Sequence, residues 1–199
     1  GLAGNAYSNI SIKKIFNIKK RLKKNPLIIH YYSLNDAKKD VILDKNFYAI
    51  YRKFSPGPLT YILKKKKNSR IKPIACANLK TVGVRFPNNK IIRKILKKLN
   101  FPLAMPSANK SSSVSPVKPS DVSEEFNNKI LVVDGGISKI GIESTVLNLV
   151  GKISVLRPGK ITPKQIENIL KTKIKVSLKQ TTIKSPGSLK KHYSPGIPI

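Results

Sequence analysis

The sequence predicts an α/β fold in which helices pack on the faces of one mixed sheet of parallel and antiparallel strands. Short apolar runs alternate along the chain with segments whose apolar residues recur every three or four positions, the spacing of amphipathic helices. Residues 143–159 read as two strands joined by a short turn at residues 150–152. Such a hairpin is antiparallel, so it argues against a purely parallel sheet.

Six segments are predicted to be helices because they combine an apolar face with a charged one. Ser33, Ser120 and Thr162 stand where their side chains can cap a helix, and Pro163 suits a first helical position. The predicted helices cover residues 11–24, 34–43, 46–54, 88–99, 121–126 and 163–170.

The predicted strands are short and are bounded by proline, glycine or polar residues. Besides the hairpin, they lie in residues 26–32, 59–67 (a strand that runs into a charged loop), 80–87, 102–106 and 129–136 (a strand followed by a tight turn). The third of these contains Thr81 and Arg85, which are four residues apart and should point to the same face of the sheet.

Both ends of the chain are predicted to lie outside the sheet. Residues 1–9, "GLAGNAYSN", read as a loop that should follow a strand, so we expect a strand before the first residue. The tail from residue 185 is rich in proline and serine and has few apolar anchors. We therefore expect one domain over residues 1–178 and a linker or lid over residues 179–199.

The chain is strongly basic, with 40 Lys and Arg against 9 Asp and Glu and a formal charge of +31. This balance favours anionic partners such as nucleotides, RNA or acidic membranes. Only six of the cations are arginines, however, and Asn and Ile are also abundant. The excess of lysine is equally what an AT-rich genome would produce.

Cysteine usage and hydropathy limit the class of protein. Cys76 stands alone, which excludes an internal disulfide and a cysteine metal cluster. No apolar run approaches the roughly 20 residues that span a bilayer. We expect a protein of the cytoplasm without a membrane partner.

The sequence contains no arrangement typical of nucleophilic catalysis. It has two histidines and widely spaced carboxylates, no zinc-ligand spacing, and no glycine-rich phosphate fingerprint. What remains is a set of polar and cationic residues at the ends of strands. That pattern suits a reaction catalysed by positioning and electrostatics.

Each candidate has an ordinary structural explanation as well as a functional one. Lys19 and Arg21, followed by Asn25, could hold phosphates or belong to a solvated helix face. Arg85 could bind a carboxylate or phosphate, or form an internal ion pair. His30 could contact a ligand, but a lone histidine after an apolar run is more often a core residue.

Two polar loops complete the set of candidates. The segment "SAN", with Ser107 and Asn109, follows the strand "PLAMP" and could cradle an anion or form a simple turn. The second, "GIESTV" (residues 141–146), leads into the first strand of the hairpin. Arg157 ends the second strand, so Arg157 returns toward the same loop.

Taken in order, these pieces resemble the YrdC-like threonylcarbamoyl-AMP synthases. The matching segments are collinear and cover nearly the whole chain: "GLAGNA", "IFNIKKRLKKNPLIIH", "FSPGPLTYIL", "TVGVRFP", "PLAMPSANKSSSVSP", "DGGISKIGIESTV", "VLRPGKIT" and "SPGSLKKHYSP". The resemblance implies a YrdC-like twisted, mixed sheet with flanking helices around a basic cavity. It also implies the reaction of L-threonine, bicarbonate and ATP to threonylcarbamoyl-AMP and pyrophosphate, with Mg²⁺ accompanying ATP.

The resemblance assigns residues to two groups. The ATP group is Lys19, Arg21, Asn25, Thr81, Ser107, Asn109, Ser115, Arg157 and Tyr193. The L-threonine group is His30, Arg85, the backbone of Met105, and Ser144 or its neighbour Thr145. Among these, the expected catalytic residues are Lys19, Arg21, Ser107 and Asn109. His192 and Tyr193 in the tail would cover the nucleotide.

The resemblance also implies a wider setting. The product would serve the synthesis of threonylcarbamoyladenosine in tRNA, through transferase proteins, with possible direct contact to tRNA. Three departures from the family pattern stand out: the substrate-contacting threonine expected before residue 1 and the second domain expected after "GIPI" are not among these residues, and Leu22 stands where a proline is usual. We therefore expect the chain to be a fragment of a longer, two-domain protein.

Two other functions fit parts of this sequence. An RNA-binding YrdC-like module acting in tRNA or ribosome maturation would keep the cations but would not require His30, Arg85 and Ser144. A relative with the same fold that adenylates carbamate from carbamoyl phosphate would not require the tail linker.

Overall fold

A computed structural model describes residues 1–111 and 113–177 of the protein. Its described part is built on a sheet of eight strands in the order β1-β5-β2-β4-β3-β6-β7-β8. The strands are β1 (Gly4–Asn5), β2 (Ile28–His30), β3 (Leu59–Lys64), β4 (Thr81–Arg85), β5 (Leu103–Ala104), β6 (Thr145–Asn148), β7 (Ser154–Arg157) and β8 (Lys175–Val176).

The sheet is mixed, as the sequence predicts. The pairs β2–β4, β3–β6 and β7–β8 are parallel, and the other neighbouring pairs are antiparallel. The hairpin prediction is confirmed, because β6 and β7 pair antiparallel around the turn at residues 150–152.

The helices lie between the strands along the chain. They are α1 (Asn9–Ile18), α2 (Leu34–Ala37), α3 (Lys45–Phe54), α4 (Lys90–Lys98), α5 (Pro119–Glu125) and α6 (Pro163–Leu170), with a 3₁₀ turn at Pro73–Cys76. Ser33 and Thr162 cap α2 and α6 as predicted, each accepting a backbone N–H three residues on. None of the helices in this described portion is long and apolar enough to cross a membrane.

The two faces of the sheet are covered differently. Alternate strand residues, among them Ile29, Tyr61 and Val84, join the main core with apolar residues of α1, α3 and α6; we call this the helix face. The intervening residues form the other face, which we call the site face. It carries Ile28, His30, Thr60, Ile62, Thr81, Gly83, Arg85 and Val146.

Several predicted boundaries are wrong, for local reasons. The first helix begins at Asn9, capped by Ser8, and ends at Ile18 rather than at residue 24. Ser120 is not a cap: α5 begins at Pro119, two residues before the predicted start, and Asp121 accepts the N–H of Lys118 (3.0 Å). Helix-forming composition alone does not locate an end, because capping side chains decide it.

Residues 129–136 do not form the predicted strand. The apolar residues of this segment find no neighbouring strand, and the side chain of Leu131 is 92% exposed. A strand requires a hydrogen-bonded neighbour, which no single-segment pattern can supply. The sequence reading also missed β1 and β8, which are only two residues long. The predicted linker, residues 179–199, lies outside the described residues.

Candidate active site

The C-terminal end of α1 positions the first predicted cations. The helix stops in a Schellman motif, in which the N–H of Lys20 donates to the Asn17 carbonyl (3.1 Å) and that of Arg21 to the Phe16 carbonyl (2.9 Å). Lys20 adopts a φ of 50°, in the left-handed region that usually favours glycine. This reversal places Lys19 against the loop that follows β5.

Lys19 is a buried lysine that holds the "SAN" loop. Its Nζ donates to the carbonyl oxygens of Ser107 (2.7 Å) and Asn109 and lies 3.5 Å from the Asn109 side-chain oxygen. Its own carbonyl accepts the N–H of Ser111 (2.9 Å). With 1% of its surface exposed, Lys19 fixes the shape of this loop from inside.

Burial lowers the pKa of both cations at this corner. Loss of hydration, followed by repulsion from Arg21, lowers the pKa of Lys19 to about 7. The pKa of Arg21 falls to about 10, mainly through burial and also through the charge of Arg157. Lys19, Arg21 and Arg157 therefore concentrate positive charge here. An anionic ligand bound between them would reduce their mutual repulsion.

Arg21 is held by the turn that follows it. Its guanidinium donates to the Asn25 carbonyl (3.1 Å), the Asn25 side-chain oxygen (2.7 Å) and the Pro26 carbonyl (2.9 Å). The turn closes through a bond from the Asn25 N–H to the Leu22 carbonyl (2.9 Å), so it forms with leucine in place of the family's proline.

A second polar group lies where β2 and β4 end. His30 and Arg85 are paired neighbours in the parallel ladder. The Nε of Arg85 donates to the Gly57 carbonyl (3.2 Å), and no carboxylate within residues 1–111 and 113–177 forms an ion pair with it. Burial lowers the pKa of the Arg85 guanidinium. The internal ion pair considered from the sequence is therefore not formed among these residues.

His30 is buried and neutral at pH 7. It is 4% exposed, and its Nδ1 lies 3.2 Å from the carbonyl oxygen of Ile28. Burial, and then the nearby charge of Arg85, lower the pKa of His30 well below 6.5.

A third group forms where β6 begins and β7 ends. The hydroxyl of Ser144 shares a hydrogen bond with that of Thr60 (2.8 Å). Arg157 donates to the carbonyl (2.9 Å) and hydroxyl (3.1 Å) of Ser144 and forms an ion pair with Glu143. Ser115 lies beside this pair, with its hydroxyl 3.4 Å from Glu143 Oε1.

Of the two alternatives Ser144 and Thr145, only Ser144 lies on the site face. The hydroxyl of Thr145 donates to the Ile161 carbonyl (2.8 Å) and accepts the Ile161 N–H (3.1 Å). Consecutive strand residues point to opposite faces, so the Thr145 side chain is turned away from Ser144.

Thr81 and Met105 are more loosely connected to these groups. Thr81 shares the site face with Arg85, as predicted, but begins β4 while Arg85 ends it, a separation of roughly 13 Å along the strand. The N–H of Met105 donates to the Ile28 carbonyl (3.0 Å), so a substrate contact from its backbone would use the carbonyl.

The described structure thus gathers most of the predicted site residues into three neighbouring groups. These are Lys19, Arg21, Asn25, Ser107 and Asn109; His30 and Arg85; and Ser115, Ser144 and Arg157. Their individual roles stay predictions. His192 and Tyr193 lie outside the described residues.

Sequence reasoning did not assign roles to Glu143 and Thr60. Glu143 is the carboxylate that pairs with Arg157, and Thr60 bonds Ser144. Each had a weak signal: Glu143 is one of nine acidic residues in a highly basic chain, and Thr60 is the one non-aromatic polar residue in the strand "LTYIL".

Comparison with known proteins agrees with this architecture. The model of the Sua5_yciO_yrdC family, described as telomere recombination, matches residues 1–159. A threonylcarbamoyl-AMP synthase of Bacillus subtilis is 35% identical over 206 residues, covering 100% of this chain and 59% of the relative. One of Pyrococcus abyssi is 36% identical over 208 residues, covering 100% of this chain and 60% of the relative.

A solved structure, P. abyssi Sua5 complexed with L-threonine, has the same fold. It superposes with a TM-score of 0.90 at 33% identity, over 96% of this chain and 58% of that one. The chain therefore spans a little under two thirds of the length of these relatives. Because the family model covers most of the chain and the similarity extends over all of it, the chain belongs to the Sua5/YciO/YrdC family.

Proposed function

We propose that this protein is an L-threonylcarbamoyladenylate synthase, a nucleotidyltransferase that converts L-threonine, bicarbonate and ATP into threonylcarbamoyl-AMP and pyrophosphate. The curated relatives carry the name threonylcarbamoyl-AMP synthase, and the P. abyssi structure was solved with L-threonine. Both facts support transferring this activity to the present chain.

The observation that carries the proposal is that Arg85 has no carboxylate partner among the described residues. The guanidinium of Arg85 is partly buried and donates one N–H to the Gly57 carbonyl. Because no described carboxylate pairs with it, its other N–H groups remain as donors for an incoming anion. The carboxylate of an amino acid matches the fork of the guanidinium. His30, neutral beside it, adds no competing charge.

The other two groups fit the triphosphate. Arg21 and Arg157 are close enough to repel each other, and Lys19 shapes the loop that carries Ser107 and Asn109. Phosphate oxygens bound between the two guanidinium groups would attract both and so offset this repulsion. Glu143, which holds Arg157, sets the orientation of one of these guanidinium groups.

The chemistry then requires no protein nucleophile. Bicarbonate takes up a proton and loses water to give CO₂. The amine nitrogen of threonine attacks the carbon of CO₂ and gives up a proton as the carbamate forms, which balances the proton consumed. A carbamate oxygen attacks the α-phosphorus of ATP, the bond to the bridging oxygen breaks, and pyrophosphate leaves with the electron pair. Fixed cations and N–H donors stabilise the charge that develops on the phosphate oxygens.

Mg²⁺ would enter as part of the ATP complex. Within residues 1–111 and 113–177 no three His, Cys, Asp or Glu residues group together as a metal site, and Glu143 is bound by Arg157 and Ser115. The triphosphate oxygens are therefore the natural ligands of the ion, as they are in other ATP-dependent enzymes.

The wider role follows from the product. Threonylcarbamoyl-AMP is an activated acyl-adenylate, so we propose that transferase proteins pass its threonylcarbamoyl group to adenosine in tRNA, in the cytoplasm. Residues 179–199, with Tyr193, would act as the linker that covers the nucleotide.

The test is pyrophosphate release by the purified protein. We expect release from ATP when L-threonine and bicarbonate are both present, and none when either is omitted. Release without threonine, or tight binding of tRNA without any turnover, would refute the synthase and favour an RNA-binding module.

A further inference from the structure

Thr60 carries a buried hydroxyl on the site face of the sheet. It lies on β3, directly opposite Arg85 on the antiparallel strand β4, and it is 0% exposed. Directly opposed residues of antiparallel strands have their Cβ atoms roughly 5 Å apart on the same face. Thr60 therefore lies beside the residue proposed to hold the carboxylate of threonine, but no surface of its own remains for a ligand to touch.

The hydroxyl of Thr60 is bound to that of Ser144. The two oxygens are 2.8 Å apart, and either can be the donor. Ser144 immediately precedes β6, the parallel neighbour of β3, and is 3% exposed. The pair thus joins two adjacent strands within the candidate site, and only Ser144 keeps surface that a ligand can contact.

Arg157 occupies one acceptor position of this pair. Its Nη2 donates to the Ser144 hydroxyl (3.1 Å) and to the Ser144 carbonyl (2.9 Å), and its Nε donates to the same carbonyl (3.1 Å). A guanidinium has no acceptor, so the direction of these bonds is fixed. A serine oxygen has two lone pairs, and Arg157 therefore takes one of those on Ser144.

The two hydroxyls hold one more hydrogen than their neighbours can accept. The bond between them uses one hydrogen, and no other acceptor within residues 1–111 and 113–177 takes the second. If Ser144 donated to Thr60, the unused hydrogen would belong to Thr60, where no ligand could reach it. A buried donor left unsatisfied is costly, so a bound ligand favours the arrangement in which Thr60 donates to Ser144.

In that arrangement Ser144 can only donate. Its oxygen accepts from both Thr60 and Arg157, so both lone pairs are occupied and its hydrogen alone remains. An ammonium group cannot accept this hydrogen and finds no free lone pair on the oxygen. The ligand atom at Ser144 must therefore be a hydrogen-bond acceptor.

The hydroxyl oxygen of threonine fits this donor. The carboxylate of the amino acid requires a charged partner, which Arg85 supplies. The hydroxyl lies on the carbon next to the one that carries the carboxylate, and β3 lies one strand spacing, roughly 4.8 Å, from the strand of Arg85. A carboxylate bound to Arg85 therefore leaves the hydroxyl within reach of Ser144.

We propose that Thr60 is a positioning residue that makes Ser144 an obligate donor, and that this donor selects an amino acid with a hydroxyl on its β-carbon. Valine, which has the shape of threonine with a methyl group in place of the hydroxyl, would leave the Ser144 hydrogen unsatisfied. Sites built to bind a hydroxyl reject such analogues strongly. The inference rests on the proposed function for the presence of threonine in the site, and it adds a role for Thr60.

The test measures the Kd of the purified protein for L-threonine and for L-valine by isothermal titration calorimetry without ATP. The variants are Ser144→Ala, Thr60→Val, the two combined, and the conservative Thr60→Ser. Ser154→Ala is the matched control, because it removes another buried hydroxyl of the sheet, at the end of β7 away from Arg157. Circular dichroism melting checks that each variant is folded.

We expect the wild type to bind threonine at least about 100-fold more tightly than valine. Ser144→Ala should weaken threonine binding at least about tenfold and change valine binding by less than about threefold, because it removes the donor. Thr60→Val should reduce the preference for threonine about fivefold, because Ser144 is then no longer held as a donor, and Thr60→Ser should keep the preference.

The combined variant separates positioning from a general structural role. Thr60 acts only through Ser144, so adding Thr60→Val to Ser144→Ala should change the preference for threonine by less than about twofold. Ser154→Ala should keep the preference of the wild type.

Several results would overturn the inference: an equal loss of threonine and valine binding in Thr60→Val or in Ser144→Ala, a further loss of preference in the combined variant, or no binding of threonine by the wild type. Pyrophosphate release is measured in parallel. Release that requires threonine, without these changes in preference, would refute only the selection by Thr60 and Ser144. The expected preferences without any release would refute the synthase and leave the recognition of the hydroxyl standing.

Discussion

At the scale of single residues, the division of the site between two ligands can be tested. Arg21 and Ser107 belong to the group proposed for ATP, and Arg85 to that proposed for threonine. Arg85→Ala should raise the KM for threonine roughly 30-fold, since it removes a hydrogen-bonded charge, and leave the KM for ATP nearly unchanged. Arg21→Ala and Ser107→Ala should raise the KM for ATP instead.

Steady-state kinetics with each substrate varied in turn measures these changes. Arg52→Ala, which removes an exposed arginine near the end of α3, is the matched control and should change neither KM. Equal effects of Arg21→Ala and Arg85→Ala on both substrates would mean that the division of the site is wrong.

Lys19 should give the protein a pH-dependent stability. Its pKa is about 7 in the folded protein and 10.5 ordinarily, so between pH 7 and 10.5 the unfolded chain holds a proton that the folded protein has lost. The free energy of unfolding therefore gains a contribution that rises with pH across this window and is absent below pH 7.

Urea unfolding at pH 7, 8 and 9 of the wild type and of Lys19→Met measures this contribution. The difference between the two cancels the titrating groups that do not interact with Lys19; the N-terminal amine is acetylated in both proteins, because the charge of Lys19 contributes to lowering its pKa. We expect the wild type to gain stability relative to Lys19→Met as the pH rises. A constant difference would show that the hydrogen bonds to Ser107 and Asn109 keep Lys19 protonated.

At the scale of elements, the buried carboxylate of Asp40, which follows α2, joins three other segments. It accepts hydrogen bonds from Tyr7 after β1, from Tyr31 after β2, and from Ser69 and Arg70 in the loop of residues 65–72. Asp40→Asn replaces one acceptor oxygen with an NH₂ group that faces donors, so at least one of four buried bonds is lost and a donor is left unsatisfied. We expect a loss of about 3 kcal/mol in the free energy of unfolding.

Chemical denaturation of Asp40→Asn measures this loss, with Asp36→Asn as the control. Asp36 pairs with Lys39 at an exposed position, and such pairs contribute little, so that variant should lose less than about 1 kcal/mol. Similar losses in both variants would contradict the anchoring role of Asp40.

At the scale of the whole molecule, charge repulsion should dominate the response to salt. The chain carries +31, and its described residues form two ion pairs. Screening shortens from roughly 30 Å at 0.01 M salt to roughly 8 Å at 0.15 M, which weakens repulsion between distant cations. We expect the Tm to rise by several degrees as KCl increases over this range.

Thermal melting by circular dichroism at increasing KCl checks this expectation, with sucrose at equal osmolality as the control for general solvent effects. A Tm that falls with KCl would mean that attractive charge pairs outweigh repulsion in the folded protein.

By itself, the sequence determined the mixed α/β class, the hairpin and the caps of α2 and α6; the residues it indicated as anion ligands stay predictions. Those features depend on local geometry: the alternation of strand residues, the 3.6-residue period of helices, and side chains that bond their own backbone. The resemblance to the family added the expectation that motifs far apart in the sequence form one site.

Only the tertiary structure decided which of these residues meet. It paired Arg157 with Glu143, directed Thr145 away from Ser144, buried Lys19 beneath the "SAN" loop, and left residues 129–136 without a strand partner. It also placed the Asp40 anchor on the face opposite His30. The contact between Lys19 and Asn109, for example, joins residues 90 positions apart. Such contacts depend on strand order and register, which no local pattern encodes.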